Sequence, residues 1–206
     1  REYEADERVP IPSERWQFAR SQDGRPVPSA RHFYLPVGFE PGWIYELVYT
    51  ASDPKVLGLG FTAVRDFVSF LLHGEADDDG APNPLGGSDA GLEAAYGWGR
   101  SQSGRFLREF VYRGFNEDAQ GKRVFAGIAP HVSGGGRVVL NYRFAQPGRY
   151  PRQHSDHVYP SDQFPFAYPV IGDPLTGRKD GILKRPETDP LVVHTQTSAE
   201  YWERRG

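Results

Sequence analysis

The stretch that most constrains this chain is "AAYGWGRSQSGRFLREFVYRGF", residues 94–115. "AAYGWG" (94–99) has the aromatic and small-residue character of a short strand. "SQSGRFLREFVYRGF" turns directly into a helical pattern, with Phe106, Phe110 and Val111 on one apolar stripe and Arg105, Arg108 and Glu109 marking the more polar side. A strand that gives way to a helix within a few residues needs a very tight turn. "GRSQSG" supplies glycine before it and small residues after it. A serine held at such a turn is the setting of a nucleophile elbow, where backbone strain exposes the hydroxyl at the end of the strand.

The pieces on either side fit one class of architecture. "FYLPV" and "WIYELVYT" (43–50) read as strands, and "GFTAVRDFVSFLLHG" (60–74) reads as a helix. Ala63, Phe67, Phe70 and Leu71 recur at helical spacing on that helix, with Val64 and Val68 alongside, and Gly74 is placed to stop it. "EDAQGKR" closes the second helix as a polar turn. "VFAGIAPHV" (124–132) is a further strand, and "DPLVVHTQTS" (189–198) is the last, followed by a helix starting at "SAEYW". The order strand, helix, strand, helix, strand, long excursion, strand is α/β alternation with a mainly parallel sheet. Residues 1–30, broken by Pro10, Pro12, Pro26 and Pro28, read as an extended segment with a short helix near "SERWQF". Residues 141–189 have no sustained period and read as a lid-like excursion, too long and too aromatic for a passive connection.

Bulk properties exclude several classes. The 206 residues carry a net charge of −3, dispersed along the chain, which gives no support to nucleic acid or a membrane surface as partner. No run of eighteen apolar residues marks a spanning helix. With no cysteine, a thiolate nucleophile and a thiolate metal site are ruled out. None of this selects a secreted, periplasmic or cytoplasmic location, nor an oligomeric state.

Two serines compete for the elbow. With Ser101 the pattern is G-x-S-x-S-G, and small Ser103 fills the position usually held by glycine. With Ser103 instead, bulky Arg105 falls on the tight position, so sterics favour Ser101. The N–H of Gln102, in the first turn of the helix, would then face a developing oxyanion. The plainer alternative is that Ser101 only caps the helix. A phosphate-binding loop is rejected, because no Lys-Ser/Thr pair follows the glycines.

The blocks "PVGFEPGWIYELVYTASDPKVLGLGFTAVRDFVSFLL", "AYGWGRSQSGRFLREFVYRGFNED", "VFAGIAPHVSGGGR", "NYRFAQP", "DQFPFAYP", "DPLTGRKDGIL" and "TQTSAEYWER" run in order over roughly residues 36–204. On them the chain resembles the large bacterial family of α/β-hydrolase domain-containing proteins. The resemblance implies an α/β-hydrolase fold over 1–206, represented in part, and hydrolysis of a small-molecule carboxylic ester without cofactor or metal. It places the nucleophile on Ser101.

In that fold the order is nucleophile, acid, histidine. Glu200, the first carboxylate past the last strand, is then the candidate acid, with helix capping as its plainer role. None of the six histidines follows Glu200, so the base is expected beyond residue 206, in a remaining C-terminal part of the protein. Arg100, His131, Tyr142 and Phe166 are the candidate substrate contacts. His131 is also a weaker candidate base, and Arg100 alternatively pairs with a nearby carboxylate. His194, inside a strand, is read as packed or hydrogen-bonded. Two further readings stay open: a non-catalytic binding or assembly module that keeps the fold, and a metal-dependent hydrolase using His154, Asp156 and His157.

Overall fold

In the computed structural model, residues 1–2, 6–50, 52–53, 58–86, 91–138 and 163–203 are described. Tyr142, and the triplet His154, Asp156 and His157, lie outside them. The chain divides into two compact units, Arg1–Asp53 and Pro54–Gly206.

The first unit is built on a hairpin. Strand β1 (Ala19–Gln22) pairs antiparallel with β2 (Arg25–Pro28) across Asp23-Gly24. Both turn residues have positive φ, 50° and 76°, which is the two-residue turn whose twist matches a hairpin and which Asp-Gly favours. A short 3-10 turn at Ser13–Arg15 occupies the expected "SERWQF" position. Edge-to-face contacts link Trp16 to Phe18, Phe18 to Tyr49, and Phe39 to Phe33 and Tyr45. Arg1 and Arg8 converge on Glu46. The strand expected at 43–50 does not form, and of "FYLPV" only Tyr34 bridges to Gln17. The aromatic and β-branched content of 43–50 is spent on side-chain clusters such as Phe18–Tyr49, since strand propensity acts only where a neighbouring strand completes the ladder.

The second unit holds the parallel sheet, in the order β3 (Tyr96–Arg100), β4 (Gly127–His131), β7 (Leu191–Val192). Helix α1 (Gly60–His73) precedes it, α2 (Gln102–Tyr112) follows β3, and α3 (Ser198–Glu203) closes it. A small antiparallel pair, β5 (Ile171–Gly172) with β6 (Lys179–Asp180), stands between β4 and β7. The α/β class with a largely parallel sheet is therefore as the sequence indicates.

Helix α2 is the centre of the packing. Leu107, Phe110 and Val111 are buried with Val124, Phe125, Ile128 and Ile182. Helix α1 adds Phe61, Val64 and Val68, and Phe61 stacks on Phe106 at 4.8 Å and on Phe115 at 5.3 Å. The inward face of α1 is thus Phe61, Val64, Val68 and Leu72. Ala63 and Phe67, expected on that face, are exposed, Phe67 by 61%. Gly74 ends α1 as expected, and the Asn83 amide donates to the carbonyls of Phe70, Leu71 and Gly74 beside it.

The side of α2 read as polar is also buried. Glu109 is 2% exposed and accepts from Arg113 Nε and Arg137 Nε, each at 2.5 Å. Buried Arg108 donates to the carbonyl of Phe166 at 2.7 Å. The helix is enclosed on both flanks, and the charged residues are tolerated inside because each is bonded. On the opposite face of the sheet, Tyr96 and Trp98 are 75% and 69% exposed.

Candidate active site

Strand β3 and helix α2 meet at Ser101. Its backbone lies at φ 55°, ψ −116°, a conformation that side-chain-bearing residues seldom adopt and that costs on the order of 1–3 kcal/mol. The surroundings hold it there. The Ser101 N–H donates to the carbonyl of His131 at 2.8 Å, extending the β3–β4 ladder by one bond. The Ser101 carbonyl accepts from the Arg105 N–H at 3.0 Å, which starts the helix. The residue belongs to both elements at once, and its side chain is exposed.

The glycines explain how strand and helix come so close. A Cβ on Gly99 would lie 2.5 Å from the Ser103 carbonyl oxygen and 2.9 Å from the Gly104 nitrogen. A Cβ on Gly104 would lie 2.9 Å from both the Gly99 oxygen and the Ser133 Cβ. Ser101 stands at the N-cap position of α2 but makes no side-chain capping bond to the helix. Gln102 is the first residue of α2, where helix N–H groups lack intrahelical partners.

A serine–histidine pair lies directly behind this turn. Ser133 follows β4, packs against Gly104, and is 1% exposed. Its Oγ is 2.8 Å from His194 Nε2 and 3.1 Å from the Gly134 carbonyl. The two residues are brought together by the sheet. The Val132 N–H donates to the Thr195 carbonyl at 2.8 Å and the Thr195 N–H to the Pro130 carbonyl at 3.1 Å, which carries the β4–β7 pairing beyond the strand ends.

The expectation that the base lies past residue 206 is therefore corrected: a histidine bonded to a serine is present within the chain. The linear order acid-then-histidine does not reveal a pairing between a residue just past one strand and a residue just past its neighbour.

His194 is tied on both nitrogens. Nε2 also lies 2.8 Å from Gln196 Nε2, while Nδ1 lies 3.1 Å from Tyr168 Oη and 3.4 Å from Arg108 Nη1. Burial, then the positive charge of Arg108, push the imidazole down to about 4. It is neutral at pH 7, the form able to accept a proton. The guanidinium of Arg108 sits 4.9 Å over the Tyr168 ring, and burial raises the Tyr168 hydroxyl above its usual range.

The other sequence candidates take these places. Arg100 is exposed at the end of β3, with His131 as its register partner on β4. The His131 Nδ1 lies 2.8 Å from Thr195 Oγ1, and its ring lies 6.5 Å from that of Trp98 at 20°. Phe166 is half-buried and meets Arg108 through its carbonyl. Glu200, in the first turn of α3, accepts from the N–H of Thr197 at 3.1 Å and from its hydroxyl, a capping arrangement. Ser133 went unselected from sequence. The available signal was its place in "HVSGGGR", just past the carboxyl end of a parallel strand, where sites on open α/β sheets gather.

Residues 37–205 match the family described as "Alpha/beta hydrolase domain". The chain belongs to that family. No curated protein and no solved structure matches it. The strand–turn–helix at Ser101 and the Ser133–His194 contact are both consistent with a serine hydrolase of this family. Among the described residues, no helix is long and apolar enough to cross a membrane.

Proposed function

We propose that this chain hydrolyses a small-molecule carboxylic ester by serine acyl transfer, with the histidine base supplied from within residues 1–206. The observation that carries the proposal is the 2.8 Å contact between Ser133 Oγ and His194 Nε2. A serine hydroxyl attacks a carbonyl only as its proton is removed, and a neutral imidazole at hydrogen-bond distance can take it. In this reading Ser133 Oγ bonds to the acyl carbon while His194 Nε2 takes the hydroxyl proton. The imidazolium returns that proton to the departing alkoxide. Water, deprotonated in the same way, then releases the acid.

A second reading of the same chemistry puts the nucleophile at Ser101. It is favoured by the strained backbone and exposed side chain of Ser101, whereas Ser133 is almost fully buried. In that reading the Gln102 N–H assists the oxyanion, His131 on the adjoining strand end is the nearby histidine, and Glu200 supplies the carboxylate. Arg100, Phe166 and, on sequence alone, Tyr142 contact the substrate. The Ser133–His194 pair then buttresses the turn from behind.

Labelling with a fluorophosphonate, mapped by mass spectrometry, separates the two. Adduct on Ser133, lost in Ser133→Ala, supports the first reading, and adduct on Ser101, lost in Ser101→Ala, supports the second. No adduct, together with p-nitrophenyl butyrate turnover that survives both substitutions, refutes serine acyl transfer here.

A further inference from the structure

We propose that Arg100 determines specificity, and that the ester taken at this site carries a carboxylate of its own. This inference rests on the reading in which Ser101 is the nucleophile.

Strand β3 alternates in what its side chains meet. A Cβ on Gly97 would lie 3.0 Å from Leu107 of α2, and one on Gly99 would meet the backbone at the start of the same helix. Both positions face α2, so Tyr96, Trp98 and Arg100 face the other way. Parallel register puts His131 beside Arg100 on that face, and the bridge from His131 to Thr195 carries the face onto the next segment. Arg100 thus stands at the carboxyl end of the sheet, one residue before Ser101, where ligands of open α/β sheets bind.

Among the described residues, Arg100 makes no hydrogen bond and no ion pair. Every other described arginine of this unit holds a carboxylate or a backbone carbonyl. The positions that share its face on the two neighbouring segments, Gly127, Ala129, His131, Leu191, Val193 and Thr195, include no acid. Glu109, Asp180 and Glu200 are engaged elsewhere, with Arg113 and Arg137, with Arg178 and Lys184, and with Thr197.

A guanidinium stays charged throughout the working pH range, and its planar fork matches a carboxylate with two N–H donors. One residue from the nucleophile, it holds the far end of an ester whose scissile carbonyl lies at Ser101 Oγ. Trp98, exposed on the same face with its ring 6.5 Å from that of His131, gives the methylenes between the two ends an apolar wall. A neutral ester of the same shape meets the wall but not the ion pair.

The test uses the full chain and two esters of one shape, monomethyl glutarate and methyl 4-nitrobutanoate. The second carries a neutral nitro group in place of the carboxylate. Methanol release at neutral pH gives the ratio of their kcat/KM values. Wild type should favour monomethyl glutarate roughly tenfold, the lower end for a hydrogen bond to a charged group, since an exposed guanidinium keeps part of its hydration. Arg100→Gln should bring the ratio near one, Arg100→Lys should keep part of it, and Arg100→Glu should reverse it. Added sodium chloride should shrink the wild-type ratio and leave that of Arg100→Gln in place. Free glutarate should also slow fluorophosphonate labelling of Ser101 in wild type and not in Arg100→Gln, a readout that needs no turnover. A wild-type ratio near one, a ratio that survives Arg100→Gln, or labelling that glutarate does not slow overturns the assignment of Arg100. Turnover that survives Ser101→Ala, or an adduct absent from Ser101, overturns instead the reading on which it rests.

Discussion

Replacing Gly99 by alanine should destabilise the second unit sharply, and the structure sets the size of the effect. The new methyl would lie 2.5 Å from the Ser103 carbonyl oxygen, 2.6 Å from the Ser103 carbonyl carbon and 2.9 Å from the Gly104 nitrogen. All three atoms are backbone at the start of α2, so no rotamer change relieves the overlap. Either β3 and α2 move apart or Ser101 leaves its φ 55° conformation. Overpacking of this kind costs about 1–3 kcal/mol, and backbone contacts this short belong at the upper end. For a protein of this size, ~3 kcal/mol corresponds to roughly 6–12 °C in melting temperature.

Thermal unfolding followed by circular dichroism measures it, with Gly172→Ala as the control. Gly172 has open space around its Cβ direction and no positive φ, so that variant should stay within about 0.5 kcal/mol of wild type. A Gly99→Ala protein that melts with wild type would refute the claim that glycine is needed for the close strand–helix crossing. It would also remove the argument that packing forces the strain at Ser101.

Two further outcomes follow from the charges inside the second unit. Glu109→Ala leaves Arg137 and Arg113 without the carboxylate that both now engage, and should cost about 3–5 kcal/mol, read from the urea midpoint. His194 titrates at about 4 when folded and near 6.5 when unfolded, so the unfolded chain binds the extra proton between those values. The stability it contributes is complete above roughly pH 6.5 and is lost as pH falls toward about 4. Melting temperature should therefore drop over that window in wild type and drop less in His194→Gln; parallel curves would contradict the shift.

Much of the second unit was legible because local pattern and tertiary demand agree there. Gly60–His73 and Gln102–Tyr112 follow from helical periodicity, and Gly74 stops the first where glycine is expected. Tyr96–Arg100 and Gly127–His131 follow from apolar runs bounded by turns. Legibility failed where the outcome depended on neighbours. Residues 43–50 have strand composition but no strand. Arg108 and Glu109 have surface chemistry but are buried, since each finds a bonded partner far along the chain.

The site divides in the same way. Sequence alone placed a strained serine at 101, because only glycine at 99 and small residues after the turn let a strand reverse into a helix so tightly. It also selected the parallel α/β class, because alternating strands and helices leave few other ways to bury both. Tertiary structure alone decided that Ser133 meets His194, 61 residues away. Neither residue carries a local motif for the other. Their contact exists because parallel pairing of β4 and β7 brings the two strand ends to one edge, and sequence distance does not reveal which ends will be neighbours.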